Sequence, residues 1–140
     1  MKPYVIYILG SSHSGSTILQ YLLSGRQGVI GLGEVRQIAS KRRWDSIFAK
    51  CSCGQPVKDC TFWKELELFD GETSIEWYRR LTLMVSSNYR NITHIVDSSK
   101  AMYSIWPWIE MKREGLISDL RIIYLVRDVR GWAVSDVNRR

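Results

Sequence analysis

Tyr4-Val5-Ile6-Tyr7-Ile8-Leu9, Gly10-Ser11-Ser12-His13-Ser14-Gly15-Ser16-Thr17, Ile18-Leu19-Gln20-Tyr21-Leu22-Leu23: with this run the chain commits itself to an architecture. An apolar stretch that ends on a glycine reads as a buried strand, and the apolar stretch after Thr17 reads as a helix. The loop between them has Gly10 and Gly15 five apart and Thr17 in the hydroxyl position, the skeleton of a phosphate-binding P-loop in the context such a loop requires. Backbone N–H groups converge there on a helix N-terminus, whose partial positive charge stabilises an anion. Ser12, Ser14, Ser16 and Thr17 add hydroxyl donors. Ser16, however, stands where a triphosphate-binding loop carries the lysine that reaches the β and γ phosphates. The loop therefore suits a phosphate without that triphosphate charge; the plain alternative is a Gly/Ser turn.

Outward from the loop, strands and helices alternate. Residues 4–9, 29–32, 93–96 and 120–126 read as strands; 16–25, 34–43, 74–87, 103–114 and 131 onward read as helices. Helix 74–87 is expected to bury Ile75, Tyr78, Leu81, Leu83 and Val85. The strand at 93–96 is expected to stop at Asp97-Ser98-Ser99-Lys100. Alternation of this kind predicts an α/β three-layer sandwich with a parallel sheet, of P-loop NTPase-like architecture. Ligands of such sheets collect at the C-terminal strand ends. Three polar motifs fall at such ends: 10–17, 97–100 and Arg127-Asp128.

The 140 residues are 45% hydrophobic, which predicts a single domain. A net charge of +6 suits an anionic ligand. Apart from Lys41-Arg42-Arg43 and Arg139-Arg140 the cations are dispersed, so a small anion is expected and a nucleic-acid partner is not. No apolar run approaches the ~18 residues of a membrane span. The N-terminal apolar stretch is too short for a secretory signal, and a cytoplasmic location is expected.

Three groups of residues carry a family resemblance. Ser12-His13-Ser14-Gly15-Ser16-Thr17 resembles the 5′-phosphosulfate loop of the sulfotransferases that use 3′-phosphoadenosine 5′-phosphosulfate (PAPS). Tyr124-Leu125-Val126-Arg127 through Ser135 is similar to their 3′-phosphate element, a strand-end arginine followed eight residues later by a helical serine. Gly33-Glu34-Val35-Arg36 is similar to a Gly-Glu segment of the tyrosyl-protein and related sulfotransferases. Asp97–Lys100 and the insert at about 50–63 resemble segments of largely bacterial sulfotransferase-like proteins.

The resemblance implies transfer of a sulfuryl group from PAPS to an acceptor hydroxyl or amine on a small molecule, carbohydrate or peptide. It implies a PAPS site made of Ser12, His13, Ser14, Gly15, Ser16, Thr17, Arg127 and Ser135. Arg127 suits a phosphate dianion because its guanidinium is a permanently charged, planar donor fork; its alternative is an ion pair with Asp128. The resemblance makes Glu34 the acceptor's base, where a helix-N-terminal charge is the alternative. His13, at a position where many members have Lys or Arg, would assist the leaving group. Lys100 would neutralise sulfate oxygens. No metal is expected in this chemistry, since fixed amides and cations replace Mg²⁺. His94 reads as structural.

One departure and one rival reading qualify this. The glycine- and lysine-containing segment that closes over the 3′-phosphate downstream of Arg127 in the family is missing, so a truncated, non-catalytic nucleotide-binding remnant is one alternative. A P-loop kinase or phosphotransferase is the other, opposed by the absent lysine. Cys51-x-Cys53 and Cys60 offer three thiolates to zinc with no fourth ligand evident nearby; buried thiols, or one disulfide such as Cys53–Cys60, are the alternatives. The six tryptophans read as core or acceptor-pocket residues.

Overall fold

The computed structural model describes residues 1–40 and 50–137, without the side chains of Trp132, Val134, Ser135 and Asp136. Residues 41–43 of the expected 34–43 helix, Trp44, both basic clusters and the Ser135 side chain therefore lie outside the described residues. Four strands, β1 (Tyr4–Gly10), β2 (Val29–Gly31), β3 (His94–Lys100) and β4 (Asp119–Leu125), form an all-parallel sheet in the order β2-β3-β1-β4. The helices are α1 (Ser16–Ser24), α2 (Val35–Ala39), α3 (Thr61–Lys64), α4 (Ser74–Asn88), α5 (Trp106–Arg113) and α6 (Val129–Val137). The expected α/β sandwich with a parallel sheet is what forms.

The connection from β1 to β2 through α1 runs to one side of β1, and the connection from β3 to β4 through α5 runs back to the other. Crossovers of one hand that run in opposite directions lie on opposite sheet faces. The side chains of β3 show both faces: Ser98 bonds Gln20 of α1, whereas Asp97 bonds Trp108 of α5. The larger core lies on the α4–α5 face, where Val5, Tyr7 and Ile95 meet Trp63, Trp77, Tyr78 and Trp108. Tyr78 and Trp108 pack edge to face with centroids 4.8 Å apart, a preferred aromatic geometry. A reciprocal capping box of Thr73 and Glu76 starts α4, and Pro107 sits in the first turn of α5, where its missing N–H costs nothing.

Two expectations need correction. β3 does not stop before Asp97 but continues to Lys100, with a bulge between the pairs Tyr7–Asp97 and Leu9–Lys100. The polar run continues as strand because its side chains find buried partners. On α4, Leu83 is exposed, and Trp77, Thr82 and Met84 join Tyr78, Leu81 and Val85 in the buried face. His94 stacks on Tyr4, 5.1 Å between centroids, at the opposite end of the sheet from the loop.

Candidate active site at the C-terminal strand ends

β1 ends at Gly10 because nothing larger fits: a Cβ there would stand 2.7 Å from the Leu125 carbonyl oxygen and 3.1 Å from Ser14 Oγ. The chain then turns through His13 (φ 63°) and Gly15 (φ 96°), both left-handed, with the Ser14 amide donating to the Ser11 carbonyl at 3.3 Å. Gly15 is the N-cap of α1 and has no side chain to occupy the first free amides, so these remain available to an external acceptor. Ser14 is buried and its Oγ has no hydrogen-bond partner among the described residues. An unpartnered buried hydroxyl costs free energy and is a feature of sites that accept a ligand. Ser16 is buried, Ser12 and Thr17 are exposed, and His13 is half-buried.

Arg127 follows β4, and its Nη1 donates to the His13 carbonyl oxygen at 2.7 Å. The guanidinium also folds over the first turn of α6: a Cβ on Gly131 would lie 3.4 Å from Arg127 Nε. The neighbouring carboxylate is committed elsewhere, because Asp128 accepts from Arg130 Nη2 at 2.9 Å. Among the described residues Arg127 has no carboxylate partner, so its charge stays available beside the loop.

A second cluster forms where β2 and β3 end. The pairing of these strands extends past β2, with the Leu32 amide on the Val96 carbonyl (2.9 Å) and the Ser98 amide on the Gly33 carbonyl (2.9 Å). Gly33 (φ 73°) then turns the chain and leaves Glu34 at the N-cap of α2. The Glu34 carboxylate does not cap that helix. Its Oε1 receives Lys100 Nζ at 2.5 Å and its Oε2 receives Gln37 Nε2. Lys100 is left-handed (φ 67°) just past the bulge, which is how its side chain is re-aimed towards β2.

Sequence reasoning placed Asp97–Lys100 at a strand end but missed the buried hydrogen bonds that hold this corner together. Asp97 is fully buried and accepts from the Ser99 amide (2.8 Å), Ser99 Oγ (2.5 Å) and Trp108 Nε1 (2.7 Å). Burial outweighs these donors and pushes its carboxyl up to about 6. Ser99 Oγ also receives the Arg36 amide at 3.1 Å, which ties α2 to β3. Tyr7 donates to the Ala101 carbonyl at 2.6 Å, and burial raises its phenol far above the ordinary range. Gln20 accepts from Ser98 Oγ at 2.6 Å. The available signal was polarity in apolar company: a glutamine within Ile18–Leu23 and an aspartate directly after Ile95-Val96.

A cleft of about 650 Å³ opens beside this corner, bordered by Thr17, Glu34, Cys51, Phe62 and Trp63. Of the described tryptophans, Trp63 borders this cleft, Trp77 and Trp108 are core, and Trp106 is exposed. No helix among the described residues is long and apolar enough to cross a membrane. Comparison with known proteins finds no family model that matches the chain and no matching curated relative.

Proposed function

We propose that this protein is a PAPS-dependent sulfotransferase. The observation that carries the reading is the hydrogen bond from Arg127 to the His13 carbonyl, which brings an uncommitted cation against an anion-binding loop. An adenosine that carries a phosphate at both its 3′ and 5′ positions needs such a pair of anion sites at one end of the sheet. A nucleoside triphosphate needs the loop lysine that Ser16 replaces. The residues fit the group: the Ser14 hydroxyl lacks a partner, and a Cβ on Gly15 would find nothing within 4 Å, so the loop is open on that side.

When bound, PAPS supplies a sulfuryl group already activated on a phosphate leaving group. The amides of residues 15–17 and the Ser14 and Thr17 hydroxyls hold the 5′-phosphosulfate, and Arg127 with Ser135 takes the 3′-phosphate. Glu34 removes the acceptor's proton as the new oxygen–sulfur or nitrogen–sulfur bond forms. Lys100, already at Glu34, offsets negative charge on the sulfate oxygens, and His13 serves the oxygen that keeps the electron pair of the broken bond. The acceptor occupies the cleft between Thr17 and Trp63.

The test is a titration with adenosine 3′,5′-bisphosphate and with AMP. A charge-assisted hydrogen bond contributes about 1.5–3 kcal/mol, and release of the His13 carbonyl offsets roughly 1 kcal/mol of it. Arg127→Ala should therefore weaken the bisphosphate by about 2- to 30-fold and leave AMP nearly unchanged. Equal losses for the two ligands, or tighter binding of ATP–Mg²⁺ by the wild type, would refute the reading.

A further inference from the structure

The insert that follows residue 49 holds the three cysteines of the chain in one place. Their sulfurs all lie within 4.8 Å of one another, and Cys60 Sγ is 3.5 Å from Cys51 Sγ. The backbone brings this about. Lys50 and Pro56 form an antiparallel bridge, the Cys51 amide donates to the Gln55 carbonyl at 2.8 Å, and the Gly54 amide donates back to the Cys51 carbonyl at 2.9 Å. Gly54 closes this tight turn in the left-handed region (φ 89°). The 3₁₀ turn Val57–Asp59 then doubles the chain back, with the Cys60 amide on the Pro56 carbonyl at 3.0 Å.

We infer that Cys51, Cys53 and Cys60 form a metal site for a zinc-class ion, bound through three thiolates with the fourth position open to solvent. Zinc binds thiolate sulfur at about 2.3 Å, so tetrahedral ligands lie about 3.8 Å apart. The observed cluster matches that spacing within small side-chain rotations. A disulfide would use two sulfurs at about 2.05 Å and leave the third without a role. Packing accounts for Cys60, which belongs to the core, but not for Cys53, which is exposed and still turns its sulfur to the other two. Soft thiolates select zinc or copper(I) over magnesium or calcium. No further His, Cys, Asp or Glu joins the group among the described residues, and the exposure of Cys53 leaves a face for water. Cys51 also borders the cleft that Glu34 lines, so the ion would stiffen one cleft wall.

This inference does not depend on the sulfotransferase reading, and its test uses no activity. The full chain is reduced, freed of metal and titrated with Zn²⁺, with bound metal counted by mass spectrometry. A parallel titration with Co²⁺ reads thiolate-to-cobalt charge transfer in the near ultraviolet. The expected result is one ion per chain with a charge-transfer band. Cys53→Ser, at an exposed position, should keep the circular dichroism of the wild type and weaken Zn²⁺ by roughly a hundred-fold. Absence of zinc uptake by the reduced chain at micromolar free metal would overturn the inference. So would equal affinity in Cys53→Ser, or a Cys51–Cys60 disulfide that re-forms in preference to metal binding.

Discussion

Asp97 gives the corner of the site a measurable pH dependence. Its carboxyl rises from 3.8 to about 6 because burial disfavours the charge by more than its hydrogen-bond donors favour it. In the unfolded chain it titrates at its ordinary value. Between about pH 4 and 6 the native state therefore holds a proton that the unfolded state has lost, and stability falls as pH rises through that window. The contribution is fully present below about pH 4 and gone above about pH 6. Two units correspond to about 3 kcal/mol. The assay is urea unfolding at steps from pH 4 to 7, followed by tryptophan fluorescence, for wild type and Asp97→Asn. Asparagine keeps an oxygen for the Ser99 donors but turns an amide against Trp108 Nε1, which adds a penalty independent of pH. The quantity to read is the wild-type stability minus that of the variant, because other titrating groups cancel in it. That difference should drop by about 3 kcal/mol across the window. A difference that stays flat, or that rises with pH, would mean that the donors outweigh burial and the reasoning fails. If Asp97→Asn does not fold, Trp108→Phe gives the same test, because loss of one donor should move the wild-type drop to higher pH.

The site itself supports three more predictions. Glu34→Gln should lower sulfuryl transfer, measured with labelled donor over an acceptor panel, by about 10²- to 10⁴-fold while donor affinity stays within a factor of about two; a large loss of donor affinity would remove Glu34 as the base. Lys100→Met should weaken PAPS more than adenosine 3′,5′-bisphosphate, because only PAPS carries the sulfate that Lys100 is assigned to meet; equal weakening would deny that contact. Gly10→Ala should cost about 1–3 kcal/mol in thermal unfolding, since the new methyl group would press on the Leu125 backbone 2.7 Å away, and an unchanged melting temperature would show that the β1–β4 strand ends yield.

Strand, loop and helix at residues 4–24 were legible because hydrophobic runs and glycine positions are local signals, and β1 and α1 end within a residue of the expected limits. The tail of β3 was not legible in the same way. Asp97-Ser98-Ser99 is a poor strand on propensity, and it becomes one only because Trp108, Gln20 and the Arg36 amide arrive from distant parts of the chain to satisfy it. The inner face of α1 was not legible for the related reason. The face it turns to the sheet carries Ser16 and Gln20, while Ile18, Tyr21 and Leu22 are exposed, so the polar side of the helix is the inner one. Motif position placed Lys100, Arg127 and the loop at strand ends and Glu34 at a helix start, but not which of them touch. The bulge in β3 turns Lys100 to Glu34, and the prior claim of Arg130 on Asp128 leaves Arg127 to the loop. Both outcomes depend on which partner each charge reaches first in three dimensions. The uncommitted arginine beside the loop, the feature on which the sulfuryl-donor reading rests, is therefore a product of competition between neighbouring residues and not of any motif taken alone.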